Sequence, residues 1–281
     1  MSSPCLWTGR RFHYDLTQKS LVMGICNVTP DSFSENGLHQ DAKDAIAHGL
    51  AMAKAGADII DIGGESTRPG APEVSVSEEL NRILPVLGEL AEKVEIPLCV
   101  DTTKAEVADA ALKAGASIVN DISGLALDPN IAHVVADHGA GLVLMHMRGT
   151  PRTMQTDTHY DDLFSEIREY LQKGMDAARK AGVDMERIII DPGIGFGKSA
   201  EQNMTIIRGL DFLLPLGRPI LMGLSRKSFL GAITGRPAPE RVEETIAATL
   251  EADRNGARIH RVHDVSQAVI ALQTARAIRQ V

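Results

Sequence analysis

From residue 20 onward the chain alternates two patterns: short, nearly unbroken apolar runs, and longer stretches in which apolar residues recur every three or four positions. Eight runs read as strands: 20–28, 58–63, 97–102, 117–122, 141–146, 187–193, 219–225 and 258–265. Between them, 41–56, 76–94, 104–115 and 160–182 carry the helical period. Three of these helices end in Ala55-Gly56-Ala57, Ala114-Gly115-Ala116 and Ala181-Gly182-Val183, where glycine supplies a left-handed cap before the next strand. Strands that are apolar throughout belong to a parallel sheet covered on both faces. Eight such units over this length predict an α/β fold of the (β/α)8 TIM-barrel class. An open dinucleotide-binding sheet would need GxGxxG after the first strand, which instead reads Gly24-Ile-Cys-Asn-Val-Thr. No linker interrupts 20–281, so one barrel domain is expected, with residues 1–19 as a cap or hairpin over its base.

The apolar runs end in polar residues. With a period of two, Asn27 follows Ile25, Asp61 follows Ile59, Asn120 follows Ile118, Asp191 follows Ile189 and His263 follows Arg261, while Asp101 closes the third strand. Any one of these could be a helix cap or a loop hydrogen bond. Six in one barrel converge on the C-terminal mouth, where barrel active sites are built. Asp101, Asn120 and Asp191 offer the mixed donors and acceptors that suit a planar nitrogen heterocycle. Lys227, Arg261 and His263 add positive charge suited to a phosphate or pyrophosphate. Asn27, with phosphate oxygens and water, could hold Mg²⁺. The loops 29–40 and 64–75, rich in Gly, Pro and Ser, open onto the same face. In 219–231 an apolar strand breaks directly into Ser225-Arg-Lys-Ser228, a further candidate anion site.

Bulk properties narrow the function. The net charge of −8 argues against nucleic-acid or acidic-membrane partners. Three widely spaced cysteines form neither a disulfide framework nor a metal motif, which points to a reducing cytoplasm. No run approaches the ~18 residues of a membrane span, and the N-terminus lacks a secretory leader's basic-then-apolar pattern. Several motifs read as decoys. Gly193-Ile-Gly-Phe-Gly-Lys-Ser199 resembles a phosphate loop, but GxxxxGK[ST] requires glycine at 192, which is Pro192. His260 and His263, three apart on a strand, face opposite sides. His146 reads as a structural hydrogen-bonding group, and Cys26 and Cys99 as small strand hydrophobes.

The ordered motif set resembles bacterial dihydropteroate synthases of the folate pathway, over about residues 20–280. It is carried by Gly24-Ile-Cys-Asn-Val-Thr-Pro-Asp-Ser-Phe-Ser34, Asp61-Ile-Gly-Gly-Glu-Ser-Thr-Arg-Pro-Gly70 and Val100-Asp-Thr-Thr-Lys104. It continues through Asn120-Asp-Ile, Met145-His-Met, Asp191-Pro-Gly-Ile-Gly-Phe-Gly-Lys198, Ser225-Arg-Lys-Ser228 and Arg261-Val-His-Asp-Val265. The resemblance implies an enzyme that joins 4-aminobenzoate to dihydropterin diphosphate with Mg²⁺, acts as a homodimer and is targeted by sulfonamides. It implies that Thr67, Asp101, Asn120, Met145, Asp191 and Lys227 contact the pterin substrate, with Arg261, His263 and Asn27 at its diphosphate. Thr67, Arg68, Pro69, Phe196, Ser225 and Ser228 would surround the aminobenzoate, with Asp31, Phe33 and Arg68 closing the loops. Asp101, Lys227, Arg261 and His263 would carry the catalysis. Two departures stand out: Glu35-Asn36 replaces the usual Asp-Gly of loop one, and Thr103 and Ala105 replace Ser and Pro. A methyltetrahydrofolate-binding module for a corrinoid acceptor would share the barrel and the pterin contacts, but would not need the cationic residues.

Overall fold

A computed structural model describes residues 5–17, 19–29, 38–67 and 70–280. A hairpin of β1 (Leu6–Gly9) and β2 (Phe12–Asp15) precedes eight parallel strands: β3 (Leu21–Asn27), β4 (Ile59–Gly63), β5 (Leu98–Asp101), β6 (Ile118–Asp121), β7 (Gly141–Met145), β8 (Ile188–Asp191), β9 (Leu221–Met222) and β10 (Ile259–Val262). Their spatial order is β8-β7-β6-β5-β4-β3-β10-β9, and a parallel bridge between Ile190 and Ile220 joins the two ends. The barrel closes. Helices on the outside are α1 (Leu38–Lys54), α2 (Val76–Lys93), α3 (Ala105–Lys113), α4 (Ile131–His138), α5 (Leu163–Lys180), α6 (Ala200–Arg208), α7 (Ser228–Thr234), α8 (Val242–Arg254) and α9 (Val265–Arg279).

Side-chain alternation divides each strand between two cores. Outward residues such as Ile60, Ile62, Val100, Val119 and Leu142 pack under the helices. On α2 they meet Ile83, Val86, Leu87 and Leu90, a spacing of three, one and three residues that lines one helical face. Ser75 caps that helix by accepting the Glu78 N–H at 3.2 Å, and Ser199 with Gln202 forms a reciprocal capping box on α6.

Inward residues form a second core. Leu21, Met23, Ile59, Cys99, Ile118, Val143, Ile189, Leu221 and Ile259 fill the lower barrel with Trp7 and Leu16. The hairpin closes this end: the Trp7 indole N–H donates to the Arg187 carbonyl at 3.0 Å, and Arg218 reaches the Leu6 carbonyl at 3.0 Å. Phe12 meets the Trp7 ring edge-on, with centroids 4.7 Å apart.

The seventh barrel strand is shorter than its apolar run. Its ladder ends at Met222, and Arg226 adopts a left-handed conformation with φ of 58°. Three partners hold this uncommon conformation. The Arg226 N–H donates to Thr245 Oγ1, its carbonyl accepts from Arg241, and its guanidinium grips Asp264 through Nε (3.0 Å) and Nη2 (2.6 Å). The tie between Arg226 and Asp264 links the turn after β9 to the end of β10.

Candidate active site

One pleat above the apolar layer, the inward positions turn polar. Asp61 is β-partner to Ile25, Asp101 to Asn120, and Met145 to Asp191, so register alone sets these groups side by side. Arg261 bridges two of the acids: Nε donates to Asp61 Oδ2 at 2.5 Å and Nη2 to Asp101 Oδ2 at 2.7 Å. Asn120 Nδ2 donates to the same Asp61 oxygen at 3.2 Å. Asp61 is fully buried, and the Cys99 thiol lies against it. Burial pushes the Asp101 carboxyl up to about 7; the Arg261 guanidinium opposes that rise and Asp61 adds to it. Burial also works against the Arg261 charge, but Asp61 and Asp101 more than compensate and hold its pKa above the ordinary value.

On the facing wall, Asp191 is buried and its Oδ1 accepts the Gly193 N–H at 2.7 Å. Burial raises its pKa, offset mainly by Lys227. Lys227 donates to the Ile194 carbonyl and lies 4.5 Å from the Phe196 ring centroid. Burial lowers its pKa to about 8, with Asp191 restoring part of the loss. Phe196 joins Ile122, Met145, Met147 and Met154 in a small apolar cluster at the mouth.

The loop 193–198 explains why Phe196 stays in place. It has no regular structure, so its carbonyls must be satisfied elsewhere. Lys198 Nζ donates to Gly193 O (2.9 Å) and Phe196 O (3.0 Å), Lys227 to Ile194 O, Gln155 to Gly195 O (2.8 Å) and Tyr160 to Gly197 O (2.9 Å). Lys198 is itself buried and also donates to His146 Nδ1 at 2.8 Å. Burial drives the Lys198 pKa well down and the His146 pKa to about 2, so the imidazole is a neutral acceptor. Gly193 has φ of 70°, and a Cβ there would lie 1.9 Å from the His146 carbonyl oxygen. Only glycine fits that approach.

On the side of β10, the His263 N–H donates to Ser225 Oγ at 3.2 Å, and His263 Nδ1 lies 2.9 Å from the same oxygen. Ser225 is buried, so it anchors His263 at the strand end. His260 faces outward and lies 3.3 Å from Asp253 Oδ1 on α8. Asn27 ends β3, and its amide makes no hydrogen bond among the described residues. Thr67 is half-buried in loop two, and Ser228 is exposed as the first residue of α7. The expectations for Asp31, Phe33, Arg68 and Pro69, and for Glu35-Asn36, lie outside the described residues. The rest of the proposed pterin side is brought into one layer: Asp101, Asn120, Met145, Asp191, Lys227 and Arg261.

Two further buried groups, Asp61 and Lys198, belong to this site without a distinct signal of their roles in the sequence. Asp61 carried the same strand-end signal as Asp101, yet its place as the hub between Arg261 and Asn120 appears only once the barrel closes. Lys198 lies in the segment whose phosphate-loop pattern fails at Pro192. The available signal was a lysine inside an otherwise apolar, glycine-rich segment after a strand, a position where a buried cation needs a purpose.

A family model described as pterin binding enzyme matches residues 23–263. The chain belongs to the dihydropteroate synthase family of pterin-binding enzymes. It is 51% identical over 253 residues to the dihydropteroate synthase of Synechocystis sp., covering 90% of this chain and 88% of that protein. The solved dihydropteroate synthase of Xanthomonas albilineans with 4-aminobenzoic acid superposes with a TM-score of 0.92 at 45% identity, covering 99% of this chain and all of that one. The Yersinia pestis enzyme in complex with a sulfonamide drug has a TM-score of 0.92 at 42% identity, covering 98% of this chain and 100% of that one. Members of the family are transferases, and the polar layer described above lies within the matched segment.

Proposed function

We propose that the protein condenses 4-aminobenzoate with (7,8-dihydropterin-6-yl)methyl diphosphate, giving 7,8-dihydropteroate and diphosphate. The observation that carries this reading is the polar layer of Asp61, Asp101, Asn120, Asp191 and Arg261 on the strands of a family barrel, with Lys227 reaching Asp191 from the cap of α7. Asp191, Asn120 and Lys227 supply the acceptor and donor groups for the pterin edge, beside Met145. Arg261 Nη1, which has no partner among the described residues, and His263 supply cationic or donor groups toward the diphosphate.

The arylamine is a neutral nucleophile, so no strong base is required. Its nitrogen forms a bond to the pterin methylene as the methylene–oxygen bond breaks, and the amine proton leaves to solvent or to the departing diphosphate. Positive character on the methylene is stabilised by Asp101, a fixed carboxylate in a partly dry site. Arg261 balances that carboxylate before substrate arrives and neutralises charge on the leaving group. Phe196 and Thr67 line the aminobenzoate side, and sulfonamides compete there.

The donor chemistry fits Mg²⁺. Asn27 offers one amide oxygen at a strand end that is unengaged among the described residues. A hard oxygen donor of this kind suits Mg²⁺, which takes few protein ligands and completes its shell with substrate oxygens and water. When bound, it supplies charge neutralisation at the diphosphate.

Three free thiols suit a reducing cytoplasm. No helix among the described residues is long and apolar enough to cross a membrane. A homodimer is the proposed assembly, with exposed Met204 on α6 and Ile233 on α7 available to the contact. Light scattering at twice 30.2 kDa supports it, and the monomer mass rejects it. The decisive assay combines purified protein, the pterin diphosphate, labelled 4-aminobenzoate and Mg²⁺. Failure to form Mg²⁺-dependent dihydropteroate overturns the reading.

A further inference from the structure

Loop two leaves β4 beside the polar layer and carries Thr67, and its first residues are gripped from behind. The Gly64 carbonyl accepts from Arg82 Nη1 of α2 at 2.7 Å. Glu65 Oε1 accepts the Val74 N–H at 3.3 Å, which ties the start of the loop to its end. Its other oxygen takes Lys104 Nζ. The same Nζ donates to Glu79 Oε2 at 2.5 Å. Glu79 is fully buried on α2, and its Oε1 has no hydrogen-bond partner among the described residues. One ammonium therefore holds two carboxylates, one in the core and one in the loop.

Lys104 is the residue before α3, three positions beyond Asp101. Burial works against its charge, but the hydrogen bonds to Glu65 and Glu79 outweigh that and hold its pKa above the ordinary value. A buried carboxylate needs a counter-charge, and that need alone accounts for the contact with Glu79. It does not account for the second contact. Glu65 is the first side chain of loop two after two glycines and lies two residues before Thr67, so a tether on its carboxylate restrains the chain there. Ile83 and the Glu79 side chain crowd Gly64, where a Cβ would lie 2.8 Å from Ile83 Cγ2. The loop start is thus packed as well as tethered.

We propose that Lys104 is a positioning residue for the aminobenzoate side of the site: by holding Glu65 against Glu79 it sets where loop two begins and where Thr67 meets substrate. The inference rests on the activity proposed above for the kinetic part of its test. Lys104→Met alone strands a buried charge, so Lys104→Met/Glu79→Gln is the informative variant, because it keeps the core neutral. In that variant KM for 4-aminobenzoate should rise roughly tenfold, the scale of one lost charge-assisted hydrogen bond, while KM for the pterin diphosphate, which Thr67 shares with the strand-end layer, should rise by a clearly smaller factor. Glu65→Gln should reproduce the split, and Lys104→Arg should restore most of the wild-type value. Hydrogen exchange of the 64–74 peptides, read without substrate, should quicken in the double variant. Wild-type aminobenzoate KM in the double variant, or exchange unchanged from wild type, overturns the proposal. If the wild-type protein makes no dihydropteroate, the proposed activity has failed and the exchange measurement still decides whether Lys104 holds the loop.

Discussion

The barrel interior holds two layers that differ in every respect except the strands that supply them. The lower layer is apolar, sealed by Trp7 and Leu16, and its side chains are almost wholly buried. The upper layer, two residues further along the same strands, pairs Asp61 and Asp101 with Arg261 and faces Asp191 and Lys227. Ile59 and Asp61, Cys99 and Asp101, Ile118 and Asn120, Ile189 and Asp191 are each one pleat apart. Full burial of one large aliphatic side chain contributes about 1.5–3 kcal/mol. Burying a carboxylate costs free energy unless a partner meets it. The lower layer therefore provides stability that the upper layer gives up to keep charges near a reacting centre.

The sharpest way to break this contrast is from below. Trp7→Ala should cost about 3–5 kcal/mol of stability, the range for truncating a buried aromatic, while turnover per folded molecule stays within about twofold. A denaturant titration paired with active-site-normalised kinetics reads both, and a large turnover loss in the folded fraction would mean that the layers are coupled. From above, Asp101→Asn should do the reverse. Turnover should drop by at least ~10²-fold through lost electrostatic stabilisation, while the fold stays intact. Near-unchanged turnover removes Asp101 from its role.

The pH dependence sharpens the same point. The Asp101 pKa is raised from its ordinary 3.8 to about 7 by burial. The unfolded chain then holds fewer protons than the folded one between those values, so this group's contribution to stability falls as pH rises through that window and is flat above it. Turnover needs the ionised form, so kcat/KM should climb toward a plateau above pH 7 as that stability is lost. Asp101→Asn should flatten the wild-type fall in Tm between about pH 4 and 7. Differential scanning calorimetry across that range checks the sign, and parallel wild-type and variant curves would contradict it. The smallest effect expected is from Ile189→Val in the lower layer: about 0.5–1.5 kcal/mol of stability and no change in KM for either substrate.

Much of this was legible along the chain. Eight apolar runs separated by helical patterning correspond to the eight barrel strands, and the three Ala-Gly junctions do place glycines at positive φ: Gly56, Gly115 and Gly182. Most upper-layer residues were visible as polar endings on those runs. Less visible was what each group would bond to. Nothing in the spacing tells that Ser225 anchors His263, that Arg226 adopts a left-handed turn held by Asp264, or that Lys198 ties two carbonyls and His146. The side-chain pairs among them, Ser225–His263, Arg226–Asp264 and His146–Lys198, join residues 38 to 52 positions apart. The Arg261–Asp61 pair spans 200.

By itself, then, the order of apolar and polar residues determined a parallel barrel and which end of it is polar, because strand period and burial are local consequences of side-chain chemistry. It also marked the Ser225–Ser228 junction as a place where an apolar strand meets cations. Which acid meets which base was decided only by closure of the barrel. Closure brings β10 against β3, within reach of Asp61 and Asp101 from β4 and β5, and turns separate strand ends into one coupled set of charges. Coulombic and hydrogen-bond energies depend on distances of a few ångströms, and no one-dimensional pattern encodes those.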